Sequence, residues 1–306
     1  MTRSLGAAET YAALHDDVVG IVVDTDVVTL AGPDALSFLQ GQVSQDLGNL
    51  AAGESVETLV LSPQGKLDCY GRVARTGDTT LAVVVDGGWG GQLAERLARF
   101  KLRVRADLGL AHWRAALLRG PLARPTAAGS AAAIVARVAW PGFSGCDLVD
   151  AAAQLPAGVA AGDATAFEAA RIEAGVPVMG RELTAKTIPQ EAGLVGRAVS
   201  LTKGCYTGQE LVARLDARGN RVSRRLVGFV VASGVPEPGD FVAVDGEPVG
   251  ALTSVAYSAR TNSAVALGYL RREVAVPAQV AVVTAGATLV AEAAELPLWR
   301  EPRAVG

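Results

Sequence analysis

Cysteine is scarce in this chain, three residues in 306, and histidine is scarcer still, with two. Cys69, Cys146 and Cys205 are odd in number and widely separated, which argues against a disulfide framework. There is no C-x-x-C pair, and His15 and His112 stand alone. The sequence therefore offers no ligand set for a zinc or iron–sulfur centre of its own, and no metal site is expected. An excess of one charge is missing too. With 28 Lys and Arg against 31 Asp and Glu, the net charge is −3 and the isoelectric point is near 5.6. Nothing global pulls the chain toward nucleic acid. Direct RNA binding is not expected, although the basic run Arg218, Arg221, Arg224 and Arg225 leaves it open; that run is either a solvated loop or an anion-facing patch. Long apolar runs are also absent: Val18–Val23, Thr80–Val85 and Leu226–Val231 are far too short to span a bilayer, so no membrane partner is expected. The opening MTRSLGAAETYAALHDD lacks the apolar core and cleavage site of a signal peptide. These absences predict a soluble, cytoplasmic protein.

What is present is apolar. Half the residues are hydrophobic and 19% are charged, with a mean hydropathy of +0.30. A chain of this length builds two or three compact units rather than one core. Val18–Val23 and Val27–Leu30 read as a hairpin across an Asp-Thr-Asp turn. Pro33 and Asp34 open a helix carrying Leu36, Phe38 and Leu39. Val56–Leu61 reads as a strand, Ser62–Gly65 as a turn into a second strand, and Thr80–Val85 as a third. Trp89, Leu93, Leu97 and Phe100 recur at helical spacing. Ala115–Leu118 and Ala131–Trp140 are further strand candidates. Residues 163–174 read as a helix with Thr165 and Glu168 as a capping box, Gly175 at its end and Pro177 beyond. Val176–Arg197 has little periodicity, and an irregular stretch of that length is usually functional or mobile. From residue 222 onward, short Val-rich runs between turns suggest a small antiparallel barrel or sandwich.

The segment Lys203–Glu210, KGCYTGQE, carries the most chemistry. Gly204 and Gly208 flank Cys-Tyr-Thr and free the backbone for a sharp turn or a close approach. Gln209–Arg218 then reads as a helix with Leu211, Val212 and Leu215 as its apolar stripe and Glu210–Arg214 as a surface pair. Cys205 falls just before the helix start and two residues from Lys203, and both features stabilise a thiolate. The same features attract a carboxylate or phosphate. Residue type alone leaves Cys205 either a reactive thiol or an inert packing residue. A hydrolase reading lacks its base, because neither histidine is near.

KGCYTGQE closely resembles the K-G-C-Y-x-G-Q-E signature of the YgfZ-like folate-binding proteins, relatives of the glycine cleavage T-protein (aminomethyltransferase) and of iron–sulfur assembly factors. FLQGQVSQDL (38–47), LSPQGK (61–66), ARIEAGVPVMGRE (170–182) and TIPQEAGL (187–194) resemble further blocks of that family. The resemblance spans roughly residues 30–230.

It implies an α+β fold arranged as a three-domain ring, with α/β folate-binding N-terminal domains and a C-terminal antiparallel β-barrel. The expected divisions are 1–50 plus 112–180, 51–111, 181–221 and 222–306. The implied function is tetrahydrofolate binding in support of maturation or repair of iron–sulfur enzymes, including those acting in tRNA thiomethylation, with iron–sulfur proteins as partners. Carried over by position, Cys205 and Lys203 are the catalytic candidates. Arg171, Glu173, Gly204, Tyr206, Gly208, Gln209, Glu210 and Asp68 are the cofactor-binding candidates, with Glu173 against the pterin. One carboxylate can accept both donors of a pterin N–C–N edge. The alternative is a folate-dependent aminomethyl or other one-carbon transferase. Against it stand a single aspartate, Asp68, where those enzymes carry consecutive ones, and the cysteine in the signature.

Overall fold

The structure, a computed structural model, describes residues 2–298. In chain order the elements are α1 (Ala7–Asp16), β1 (Val19–Ala31), α2 (Ala35–Gln40), β2 (Ser55–Leu61), β3 (Leu67–Arg75), β4 (Thr80–Asp86), α3 (Gly90–Phe100) and β5 (Asp107–Arg119). They continue with α4 (Ala123–Ala127), β6 (Ile134–Trp140), β7 (Phe143–Asp150), β8 (Ala160–Ala161), α5 (Ala164–Ala174), α6 (Val195–Ala198) and α7 (Gln209–Ala217). The last part is all strand: β9 (Arg224–Val231), β10 (Phe241–Val244), β11 (Glu247–Ser258), β12 (Ser263–Arg271), β13 (Ala278–Val283) and β14 (Thr288–Ala294). No helix among the described residues is long and apolar enough to cross a membrane.

The first seven strands form one sheet in the order β2-β3-β4-β1-β5-β7-β6, with the short β8 parallel to β1. Leu39, Leu93 and Leu97 from α2 and α3 pack on one face against Val28, Leu81 and Val83. On the opposite face, Ala74 of β3 and Ile134 of β6 share a cluster with Val27 and Ala115. Those two strands lie far apart in the strand order, so the sheet curls and brings its two ends together. Small residues there permit the tight curvature.

The expected hairpin at Asp24–Asp26 is instead the middle of one long strand, because its polar side chains find partners within the fold. Thr25 Oγ1 donates to the Val85 carbonyl at 2.7 Å. Asp26 accepts from the Gly88 and Gly90 N–H groups at the start of α3 and pairs with His112. Strand β5 runs well N-terminal of the predicted Ala115–Leu118, and β7 carried no sequence signal of its own. The helix α5 is capped by Asp163, whose carboxylate accepts from Ala166 N–H, not by Thr165. Gly175 closes it with φ +71, a left-handed turn that glycine adopts without strain.

Strands β10-β11-β12-β9-β14-β13 close into an antiparallel barrel filled by Val227, Phe229, Val231, Val242 and Val282. Residues 299–306 of the expected 222–306 module lie outside the described residues. Leu226, Val265 and Leu267 on the barrel's outer side pack against Ala169 and Ile172 of α5. Helix α5 is thus held between the curled sheet and the barrel.

Candidate functional site

A cavity of about 460 Å³ lies between the concave face of the curled sheet, the cavity-facing side of α5 and the segment Val176–Arg181. Ala164, Phe167, Glu168 and Arg171 all line it, and their spacing of three and four residues is one face of a helix. Ile21, Val23, Ala115 and Leu117 supply apolar wall, and Trp89 stands at the edge of α3.

Ionisable groups ring this wall, and most are paired. Glu57 accepts from Arg197 at 2.6 and 2.8 Å, from Arg72 at 3.0 Å and from the Tyr70 hydroxyl at 3.0 Å. Burial alone would raise its carboxyl; the Arg197 and Arg72 guanidiniums outweigh it and hold the group below the usual range. Glu168 is likewise pushed up by burial but held low by Arg171 and Arg181. Asp147 takes Arg119 at 2.6 Å, and that guanidinium stacks on Trp140.

Asp86 is the exception. It ends β4 opposite Thr25 and lines the cavity, crowded by neighbouring protein but exposed at the surface. Among the described residues its carboxylate accepts one hydrogen bond, from the Met179 N–H at 3.3 Å. Burial raises its pKa, and Met179 together with the more distant Arg171 and Arg181 offsets this only in part. Its remaining acceptor capacity is open to solvent or to a ligand that carries donors. Neither Asp86 nor Glu168 stood out as a site residue in the sequence. Asp86 is simply the first polar residue after the apolar run Thr80–Val85, and Glu168 read as part of a cap.

Of the residues proposed from sequence, Arg171 alone lines the cavity. Its guanidinium is saturated: two donors go to Glu168, the others to Glu182, the Val176 carbonyl and Ser254 Oγ of the barrel. Glu173 lies two residues further along α5, and positions i and i+2 of a helix point in nearly opposite directions. It is fully buried, accepting from the hydroxyls of Tyr11 and Ser258, with Arg260 at 3.5 Å. It joins α1, α5 and β11 and does not line the cavity. Glu182 forms a parallel latch, accepting from Val178 N–H, Thr253 and Ser254. Asp68 pairs with Arg96 at 3.0 Å and is not on the cavity wall.

The KGCYTGQE segment forms a second locality. Lys203 is buried, and its ammonium donates to the carbonyls of Gln40, Val43 and Gln45 at 2.7, 2.8 and 2.8 Å. All three of its N–H groups are thereby engaged. Burial pulls it down to about 8, with Asp46 opposing. Lys203 thus ties the FLQGQVSQ segment to the signature loop, and no hydrogen bond or ion pair among the described residues joins it to Cys205. Cys205 and Gly204 are exposed. Tyr206 is buried beneath them, its phenol raised to about 12 by burial. Gly208 has φ +83, and a Cβ there would lie 2.5 Å from the Ser62 carbonyl oxygen, so the LSPQGK turn seats directly on it. Gln209 and Glu210 open α7, and Glu210 forms no ion pair with Arg214 among the described residues. In the basic run, Arg224 holds Glu191 at 3.1 Å and Arg225 approaches Glu295 at 3.6 Å.

A curled mixed α/β unit carrying a cavity, joined to a closed six-stranded barrel, defines the class to which the comparisons point. The family described as glycine cleavage T-protein C-terminal barrel domain matches residues 224–299. An aminomethyltransferase from Rubrobacter xylanophilus is 31% identical over 306 residues, covering 87% of this chain and 78% of that protein. One from Symbiobacterium thermophilum is 38% identical over 151 residues, covering 48% of this chain; the chain spans only 38% of that relative's length. The solved glycine cleavage system aminomethyltransferase T from Bartonella henselae superposes with a TM-score of 0.80 at 19% identity, covering 98% of this chain and 91% of that one, a likeness of fold. The chain belongs to the aminomethyltransferase (glycine cleavage T-protein) family.

Proposed function

We propose that the cavity binds a tetrahydrofolate and that the protein supports maturation or repair of iron–sulfur enzymes, with Cys205 as the working thiol. The observation that carries the folate reading is Asp86. A pterin edge presents adjacent donors that one carboxylate accepts together, and Asp86 has acceptor capacity to spare in a cavity of drug-like size. Trp89 and the Ile21, Val23 and Leu117 surfaces suit a flat, largely apolar ligand. Bound there, the folate would supply one-carbon or reducing chemistry. The chain's own residues orient it and, through Glu168 and Arg171, fix α5 beside it.

The iron–sulfur assignment, including a role beside enzymes of tRNA thiomethylation, rests on the likeness of KGCYTGQE to the YgfZ-like signature and on the exposure of Cys205. Complementation of a strain lacking its own YgfZ-like protein tests it: rescue by wild type and failure of Cys205→Ala are expected. Equal rescue by both removes Cys205 from the function. A second reading, folate-dependent aminomethyl transfer, is favoured by the names of the relatives. It requires turnover with an aminomethylated lipoyl carrier and purified protein, and absence of that turnover removes it.

A further inference from the structure

The outer surface of the sheet carries a second cavity, of about 540 Å³, which shares no lining residue with the central one. Residues of β2 and β6, the two end strands of the sheet, line it together with one face of α4. Strand alternation separates the two sites: Val135, Arg137 and Cys146 face this cleft, whereas Ala136, Val138 and Asp147 face the central cavity. Leu50, Val56, Ala127 and Val135 give the cleft apolar walls.

Two cations and one acid meet on this cleft. Arg137 of β6 stands directly opposite Cys146 of β7 in the strand register, so the two side chains leave the same face of the sheet. Ala123 and Ala127 of α4 are buried in one cluster with Cys146 and Leu148. That packing sets Arg124, Ala127 and Ala128 along the cleft as one face of the helix. Burial and Asp147 raise the Cys146 thiol, while Arg119, Arg124 and Arg137 oppose the rise, so both cleft guanidiniums act on one buried point. Arg124 and Arg137 are exposed, and neither has an ion pair or side-chain hydrogen bond among the described residues. Glu54 lines the same cleft, and its Oε2 accepts from the Ala51 N–H at 3.0 Å. Its Oε1 takes no hydrogen bond among the described residues, and it forms no ion pair with either arginine. The cleft thus carries two unpartnered guanidiniums and one free acceptor.

We propose that this cleft binds a small hydroxylated phosphate monoester, with the phosphate between Arg124 and Arg137 and a hydroxyl of the ligand donating to Glu54. A guanidinium fork meets phosphate oxygens in pairs, and two such forks match a dianion. Glu54 accepts from a hydroxyl but repels a second anionic group. The ligand therefore carries its charge at one end and its donors at the other, which sets a phosphate ester apart from a dicarboxylate. The apolar walls take its carbon frame, and the volume suits a small metabolite. The site is separate from the central cavity and does not depend on the folate reading.

Calorimetric titration of the full chain with inorganic phosphate, glycerol 3-phosphate, ribose 5-phosphate and malate tests this, on wild type, Arg124→Ala, Arg137→Ala, the double variant and Glu54→Gln. Both esters should bind wild type more tightly than inorganic phosphate or malate does. Each arginine substitution should weaken the esters about 5-fold and the two together about 30-fold. Glu54→Gln should narrow the esters' advantage by easing the repulsion of inorganic phosphate. All the substituted side chains are exposed, so melting curves should stay at the wild-type midpoint and show the variants folded. Binding of inorganic phosphate with no gain for the esters means an adventitious ion only and overturns the proposal. Malate binding as tightly as the esters overturns the phosphate class. Ester binding that survives the double substitution, or no ester binding by wild type, overturns the cleft as the site.

Discussion

Replacing Asp86 by asparagine separates the cost of the site from its use. Among the described residues the carboxylate accepts one hydrogen bond, from Met179 N–H at 3.3 Å, and desolvation by the surrounding protein raises its pKa. A neutral amide of nearly the same shape removes that desolvation penalty. Because Asp86 is open to the cavity, the gain is modest, about 1 kcal/mol at neutral pH, or roughly 2 °C in midpoint for a chain of this size. The sign with pH follows. A carboxyl whose folded pKa is raised favours the protonated folded state, so its penalty appears as pH climbs from the unfolded value, about 4, through the folded one. The stability advantage of Asp86→Asn should therefore vanish in acid and grow toward neutrality. Binding moves the opposite way. Two charge-assisted hydrogen bonds at about 1.5–3 kcal/mol each are lost, and the amide N–H₂ sets a donor against a donor. Folate affinity should fall by on the order of 100-fold or more. Denaturant melts across pH and a folate titration read the two effects. A variant that binds within a few-fold of wild type, or is less stable at neutral pH, refutes the assignment of Asp86.

Three further substitutions probe the frame. Lys203→Met leaves the carbonyls of Gln40, Val43 and Gln45 without their donor and should destabilise by about 3 kcal/mol in urea titration; a change below about 0.5 kcal/mol would show the lysine to be no staple. Glu182→Ala strips Arg171, Thr253 and Ser254 of a fully buried acceptor and should cost about 3–5 kcal/mol, with hydrogen exchange rising first in β11. An unchanged melting curve would refute the latch. Cys205→Ala, at an exposed residue, should shift stability by no more than about 0.5 kcal/mol, so any loss of complementation reports chemistry. A large drop in stability would make it a packing residue.

Secondary structure was legible wherever one periodicity ruled: the α3 stripe of Leu93 and Leu97, the start of β2, the Val-rich barrel strands. It failed where polar residues are satisfied only by tertiary partners. Thr25 and Asp26 look like a turn until Val85, Gly88, Gly90 and His112 are brought to them. The family blocks pointed to the right fold, and the residues they single out, Arg171 apart, lie off the cavity wall. Lys203 reads as an activating charge when only its distance in sequence from Cys205 is known; its three carbonyl partners lie some 160 residues away in the chain. Glu173 reads as a site acid when the R-x-E pair is treated as a unit, whereas on α5 the two side chains leave in nearly opposite directions, Arg171 to the cavity wall and Glu173 to Tyr11 and Ser258. Asp86 had no local pattern to announce it, because what marks it is a cavity-lining carboxylate with no ion pair among the described residues, which only the assembled cavity reveals.

The two localities are nevertheless one structure. Tyr206, buried beneath Cys205, belongs to the same apolar cluster as Leu59, Leu61, Met179 and Leu183, against which Tyr70 and Trp89 also pack. Met179, Tyr70 and Trp89 line the cavity, and Met179 N–H donates to the Asp86 carboxylate. A ligand that takes hold of Asp86 therefore acts on a backbone segment packed in the same cluster as the floor of the thiol loop. Interiors at crystalline density pass small displacements on rather than absorbing them. That continuity means that the cavity wall and the floor of the Cys205 loop share one apolar cluster without sharing a wall.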